Sequence, residues 1–387
     1  MPNIVREACS NRVASGWTGR TYVWAMSVLL LLISVTARAE LVENLYQQGE
    51  LVASQTSSER NRAASEALAK VLVRVSGSEK LLQNPDIQKQ LQKPQRLIEA
   101  FRYESTDEVL ERDDLPVPAS RLVLSFSKSG IERLLRDSQA PLWPANRPSV
   151  LVWLVKDDLR LGRELVSLQD EGELSVTAAD ISQQRGLPLV LPMLDLEDRL
   201  NISADQVWNL DQAAIIEASS RYRADVLLIG RYSQTSSGRW ISAWTLLHKQ
   251  HQQVFDGDAD VETELLAQGL NAATNFLSGI YSISSYGAAS DAVYLSVHQV
   301  NGFQSYVRLL GYLESLEVVR QMDLVSLDRE QVQLRVRLEG DVSALTDALE
   351  LDRRLQPKLP TQASGVALPQ SLEPLGSENN PLTYGWP

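Results

Sequence analysis

The chain has 387 residues, of which 44% are hydrophobic and 22% are charged; this composition is typical of folded globular proteins and excludes a collagen-like, coiled-coil or mainly disordered chain. At about 100–200 residues per domain, the length predicts two or three domains. The formal net charge of −12 argues against a nucleic-acid partner, because nucleic-acid binding relies on basic patches.

The first 39 residues have the pattern of an export signal. Three arginines precede an uncharged stretch, residues 21–37, and the small-residue motif Ala37-Arg38-Ala39 follows. This order predicts a signal peptide at 1–39, cleaved after Ala39, and a periplasmic protein. The alternative is an uncleaved inner-membrane anchor at 21–37, a stretch near the lower length limit for a membrane span. The single cysteine, Cys9, lies before the cleavage point, so cleavage leaves no thiol.

Residues 40–146 are predicted to form an N-terminal α+β module. Small and aliphatic residues recur at helical spacing after Ser57, and Gly77 ends this predicted helix. Two strand-like segments and a short helix follow it. The proline-rich segment between Pro141 and Pro148 marks the boundary to the next module.

Residues 147–283 are predicted to form a middle α/β module. Its elements follow the order β-α-β-α-β-β-β-α, which predicts a mixed sheet with parallel strands leading into an antiparallel meander. The last four elements are predicted at 225–230, 240–247, 253–258 and 261–281.

A third module at 291–355 has the order β-α-β-β-α-β, the ferredoxin-like split unit. Residues 356–387 are rich in Pro, Ser and Gly and lack hydrophobic periodicity, so they are predicted to be a disordered tail that is dispensable for folding. The predicted fold class is therefore α+β, with three small α/β modules in series.

Several stretches resemble the domain of unknown function 2066 family of exported proteobacterial proteins. The resemblance covers most of the chain after residue 39, and it implies no known activity. The stretches are Leu45-Tyr46, Arg60–Gly77, Pro141–Trp143, Arg147–Trp153, Leu191–Asp198, Ala218–Tyr222 and Gly302–Leu313.

The middle module has a second resemblance, carried by Arg223–Arg231 and the strand pair and long helix that follow. It is similar to periplasmic domains of the TolB amino-terminal region, the curli secretion lipoprotein and the lipoprotein activators of penicillin-binding proteins. The first two modules in series also resemble the flagellar-ring protein T. These relatives are scaffolds and assembly factors, so the resemblance implies protein binding rather than catalysis.

An acidic loop is the best-placed candidate for chemistry. Asp195, Glu197 and Asp198 follow a predicted buried strand, where the carboxyl ends of strands form the usual crevice. Paired carboxylates at such a place act as acid and base or bind a cation. The alternative is a structural loop whose carboxylates pair with a neighbouring arginine. The candidate arginines are Arg199, Arg221 and Arg223.

Three tryptophans are further candidates for binding. Trp208 follows the acidic loop, which makes the crevice beside it a candidate small-ligand site. Trp240 and Trp244 stand four residues apart in a predicted strand and therefore face the same side, either as a ligand platform or as part of the core.

Two other patterns resemble metal-binding motifs, but each lacks a residue that the motif requires, so no metal site is predicted from them. His248 and His251 fall in the turn of a predicted hairpin and lack a third ligand nearby. Asp256–Asp260 resembles the start of a calcium loop, but Val261 stands where the loop needs glycine.

No nucleophile elbow, phosphate-binding loop or zinc-protease motif occurs in the sequence, so no catalytic residue, cofactor or metal is predicted. The sequence predicts a non-enzymatic, periplasmic protein-binding scaffold, or an assembly or regulatory factor, with an envelope protein as its partner. The alternatives are a hydrolase, or a cation- or small-ligand-binding protein, that uses the loop Asp195–Asp198.

Overall fold

The computed structural model describes residues 44–112, 115–284, 292–358 and 374–387. The described chain is a mixed α/β structure with sheets of three, six and five strands, so the predicted fold class is confirmed. The predicted signal peptide or anchor lies outside these residues. Within them, no helix is both long and apolar enough to cross a membrane.

The first sheet has the order β1-β3-β2 and carries one long helix, α1. Thr56 caps α1 by accepting a hydrogen bond from the Glu59 backbone, and Gly77 ends it in a left-handed conformation at φ 72°. The small apolar face of α1 is buried, which lets the helix lie close to the sheet. The elements are β1 (Gln47–Val52), α1 (Ser57–Ser76), α2 (Pro85–Leu91), β2 (Ile98–Arg112), β3 (Leu115–Phe126) and α3 (Lys128–Asp137).

The middle sheet has the order β5-β4-β7-β8-β9, with the short β6 beside β4. β4 and β7 are parallel, whereas β7, β8 and β9 form the predicted antiparallel meander. One face packs under α8 and α4 and the other under the short helices α5–α7. The elements are β4 (Val150–Asp158), β5 (Gly162–Leu165), α4 (Glu173–Arg185), β6 (Leu189–Val190), α5 (Leu196–Asn201), α6 (Ala204–Trp208), α7 (Gln212–Ser219), β7 (Val226–Gln234), β8 (Trp240–His248), β9 (His251–Ala259) and α8 (Glu262–Tyr281).

The third sheet has the order β11-β12-β10-β14-β13, and two helices cover its apolar face. β10 pairs with β12 in the manner of the split unit, but its other side pairs in parallel with β14. The elements are β10 (Val293–His298), α9 (Gly302–Glu314), β11 (Val319–Asp328), β12 (Gln331–Leu338), α10 (Val342–Asp352), β13 (Gln356–Pro357) and β14 (Leu382–Gly385).

The prediction that residues 356–387 form a disordered tail is wrong for the end of the chain. Leu382 and Tyr384 of β14 are only 3% and 6% exposed, and β14 lies between β10 and β13 in the sheet. The Trp386 backbone N–H adds a 2.9 Å hydrogen bond to the His298 carbonyl. Four residues are too few to show hydrophobic periodicity, which is why composition alone misses this strand. Residues 359–373 lie outside the described part.

The buried side chain of Arg147 joins the first and middle modules. The Arg147 side chain is fully buried, and its guanidinium donates to five backbone carbonyls at 2.8–3.0 Å. These carbonyls belong to α1, the Pro141–Pro148 segment and the end of α4. They are Arg74 O, Trp143 O, Pro144 O, Arg185 O and Gly186 O. Burial lowers the pKa of Arg147 to about 9, so the side chain stays charged at neutral pH.

The same proline-rich segment also contacts the third module. The Asn146 side chain donates to the Ala348 carbonyl at 3.0 Å, and the Ala145 N–H donates to Glu317 at 3.3 Å. Leu142 forms an isolated backbone bridge with Ile283. The segment predicted as a boundary is therefore a packed junction that touches all three modules.

Candidate functional site

The acidic loop forms a compact ion-pair network at the start of α5. Asp195 is the N-cap residue of α5, and its Oδ1 accepts from the Asp198 backbone N–H at 3.0 Å. Arg221 Nη1 donates to Asp195 Oδ1 at 2.9 Å and to Asp198 Oδ1 at 3.0 Å. Asp198 is 1% exposed, and its Oδ2 accepts from the Leu194 N–H and the Tyr222 hydroxyl. Both carboxylates are therefore engaged by donors of their own chain.

These contacts favour the charged form of Asp195. The hydrogen bonds from Arg221 and the Asp198 backbone lower the pKa of Asp195 to about 2, so it stays ionised well below its usual range. Of the three candidate arginines, Arg221 makes the contacts with both aspartates, and Arg199 instead donates to the Leu194 carbonyl at 3.0 Å. The geometry supports the structural interpretation of this loop.

Replacing Asp198 by asparagine is expected to lower the free energy of unfolding by about 1–3 kcal/mol, because the change removes a buried charge that accepts three charge-assisted hydrogen bonds. Urea unfolding followed by circular dichroism measures this loss. The control is Glu197→Gln, since Glu197 is exposed and only 3.4 Å from Arg221 at the surface, where such pairs contribute about 0–1 kcal/mol. Equal effects of the two changes would contradict a structural role for Asp198.

Trp240 and Trp244 lie on the same face of β8, as predicted, and that face is the one under α8. The Trp244 ring fills the space beside Gly230 and Gly269, where a Cβ atom would lie within 2.4 Å of the ring. Its Nε1 donates to Ser242 at 3.0 Å. Trp244 is therefore a core residue, whereas Trp240 is half-buried with Lys156 Nζ 4.9 Å from its ring centre.

Trp208 lies on the opposite side of the sheet, beside an open groove of about 550 Å³. Its backbone carbonyl accepts from Arg231 Nη1 at 2.9 Å, which fixes the end of α6 to β7. Arg163 stacks over the indole with its guanidinium carbon 4.8 Å from the ring centre. Residues of β7, β8 and β9 complete the lining of the groove, among them Ser233, Ile241, Ala243, Asp256 and Asp258.

The groove continues to β9, which is the edge strand of this sheet. All nine residues of β9 pair with β8 without a break in register, from His251 opposite His248 to Ala259 opposite Trp240. His251 closes a two-residue turn, so the odd-numbered residues bond to β8 and the even-numbered ones direct their N–H and C=O groups outward. Consistent with this parity, the Asp258 carbonyl accepts from the Gln268 side chain.

Among the edge strands in the described part of the chain, β9 combines length with regularity. β2 and β11 are longer, but each has two irregularities in register. β1, β5 and β13 have six, four and two residues. Natural proteins usually protect edges with bulges, prolines, charged side chains or short strands. β9 has no bulge, proline or lysine, and its charged residues are Asp256 and Asp258. Exposed edges of this kind pair readily with another chain.

The histidines do not come together as a site. His248 is buried, with Nδ1 2.9 Å from the Asp225 carbonyl and Nε2 against the Tyr281 hydroxyl, and its burial lowers the pKa of the imidazole. His251 is exposed on β9. Over the described ranges, no group of three His, Cys, Asp or Glu side chains is placed to hold a metal ion.

Trp208 is predicted from the sequence as a candidate binding residue, but the open edge of β9 is not predicted. The segment His251–Ala259 has polar residues at positions facing both sides, and it is the last strand of the predicted meander. These two signals together indicate an uncovered edge strand, because a central strand of such a sheet is apolar on at least one face.

Comparisons with known proteins give one family match. Residues 39–144 match the family model described as "Domain of unknown function (DUF8605)". No curated protein matches the chain. A solved chain described as "Crystal structure of uncharacterized protein" is 12% identical and is matched over 34% of this chain and 97% of its own length. Its TM-score of 0.14 is too low to support an argument about fold. The chain thus contains, at residues 39–144, a domain of unknown function.

Proposed function

We propose that this chain is a non-enzymatic protein-binding scaffold, or an assembly or regulatory factor, in the periplasm. The observation that carries the proposal is the exposed, regular edge of β9 beside the Trp208 groove. Addition of a strand to such an edge is a common way to recognise another protein, with main-chain hydrogen bonds giving affinity.

Other features agree with this role. The carboxylates of Asp195 and Asp198 are engaged by Arg221 and Tyr222, which supports a structural loop over the hydrolase or cation-binding alternative. The signal-like pattern of residues 1–39 supports export, with cleavage after Ala39. Membership of the domain of unknown function 2066 family is also part of this proposal. The resemblance to TolB-like and flagellar-ring assembly domains, which implies protein binding, is a further part of it.

Site-directed photo-crosslinking in the cell envelope tests the proposed function. A photoreactive amino acid at Gln252, on the outward side of β9, is expected to give a discrete crosslinked protein. The same amino acid at Val176, exposed on α4, is the matched control and is expected to give none.

The proline variant Val254→Pro makes this test specific. Val254 directs its N–H outward, so proline removes one edge donor while leaving the β8–β9 bonds in place. We expect the crosslink at Gln252 to disappear in Val254→Pro and to persist in Val254→Thr. Identical products from both labelled positions, or a crosslink insensitive to the proline, would refute binding at this edge.

A further inference from the structure

We propose that the segment recognised by β9 is an extended strand that carries a lysine or arginine and, two residues later, an apolar side chain. This inference rests on the proposed function and names the chemistry of the partner at the same edge. Three properties of β9 support it: its outward-facing backbone groups, its charge and the pattern of its exposed side chains.

The backbone supplies the means of pairing. Gln252, Val254 and Asp256, which are every second residue of β9, direct their N–H and C=O groups away from β8. An added strand can therefore form hydrogen bonds at these three residues. β7, β8 and β9 already form an antiparallel meander, and antiparallel pairs are slightly more stable per residue than parallel ones. The added strand is therefore antiparallel to β9.

The charge of the edge selects a basic partner. Asp256 is exposed and has no ion-pair partner among the described residues, whereas Asp258 is paired with Arg239. Both carboxylates face the groove, and the whole chain has a net charge of −12. An opposite charge directly across from a strand residue is stabilising and a like charge is destabilising. A lysine or arginine opposite Asp256 meets this requirement.

Exposed apolar side chains on the same face give the second half of the pattern. Val254 is 51% exposed and stands opposite Thr245 on the groove face of the sheet, where Ile241, opposite Asp258, is 45% exposed. In an antiparallel partner, the residue opposite Asp256 precedes the residue opposite Val254 by two positions. The recognised pattern, read from the amino end, is basic, any residue, apolar.

The probe is the fluorescein-labelled peptide Ser-Thr-Lys-Thr-Val-Thr-Ser, and fluorescence anisotropy with the purified protein measures its binding. We expect saturable binding that Val254→Pro abolishes. Asp256→Asn is expected to weaken it roughly 1.4- to fivefold, corresponding to about 0.2–1 kcal/mol for a cross-strand charge pair. Asp180→Asn, a change on the exposed side of α4, is the matched control and should leave binding unchanged.

Two further peptides test sequence order and charge. One exchanges the lysine and the valine, and the other has glutamate in place of lysine; both are expected to bind more weakly than the probe. Equal binding of all three peptides would show that neither charge nor order is read. Hydrogen exchange should slow at the Val254 and Asp256 amides when the probe binds; unchanged exchange would overturn strand addition.

The outcomes separate this inference from the proposed function. If the crosslink at Gln252 depends on Val254 but the lysine peptide does not bind, the edge binds a protein of other chemistry and the inference fails alone. A dimer in gel filtration that Val254→Pro dissociates would identify the occupant as a second copy of this chain and overturn the inference. Should Val254→Pro unfold the protein, Asp256→Lys replaces it, with loss of probe binding expected.

Discussion

Replacing Arg147 by methionine is expected to lower the free energy of unfolding by about 3–5 kcal/mol, because buried backbone carbonyls lose their hydrogen-bond donor. Methionine fills a similar volume but leaves five buried carbonyls without their donor. Each unpaired buried acceptor costs about 1–3 kcal/mol unless water enters. The change also removes the stacking of the guanidinium on Trp143, where Cζ lies 3.9 Å from the ring centre.

Because Arg147 bonds to both the first and the middle module, the loss should also reduce their coupling. We expect urea unfolding to be a single transition in the unchanged protein and to split into two in Arg147→Met. Arg147→Lys keeps the charge but supplies three donors instead of five, so it is expected to restore stability only in part. The control is the exposed Arg160→Met, expected within about 0.5 kcal/mol of the unchanged protein. Full stability of Arg147→Met would contradict the role of this junction.

Ending the chain after residue 373 is expected to lower the free energy of unfolding by about 3–6 kcal/mol. This truncation removes β14, whose Leu382 and Tyr384 side chains are buried, and each such side chain contributes about 1.5–3 kcal/mol. It also leaves the backbone of Leu295–His298 without its partner on one side. Urea unfolding gives the loss, and hydrogen exchange at those β10 amides should become faster.

A point substitution separates loss of packing from loss of chain. Leu382→Ala alone is expected to cost about 2–5 kcal/mol, as for other buried leucines. Leu375→Ala is the matched control, because Leu375 is exposed in the same C-terminal segment. A truncated protein as stable as the full chain would contradict this role of β14 and would support the sequence-based prediction that residues 356–387 are dispensable for folding.

Local periodicity explains how much of the fold the sequence predicts. The helices α1 and α8 and the strands β7 and β8 are found within a few residues of their ends, because each carries a repeat of apolar side chains. The element order then indicates a mixed sheet, since short connections restrict how consecutive elements can pack. The acidic loop is also found from sequence, because charged residues after a buried strand lie at a sheet end.

The remaining features depend on contacts between residues distant in sequence. Arg221 engages both Asp195 and Asp198, but spacing alone leaves three arginines as candidates. The insertion of β14 beside β10 and the burial of Arg147 join segments far apart in the chain.

The sequence by itself determined the local elements of this protein, its acidic charge and the signal-like pattern at its start. Only the tertiary structure decided which edge strand is left open, what Arg221 binds and where the C-terminal strand pairs. The physical reason is that periodicity and capping act over a few residues, whereas strand pairing and buried polar groups are fixed by whichever distant backbone satisfies their hydrogen bonds.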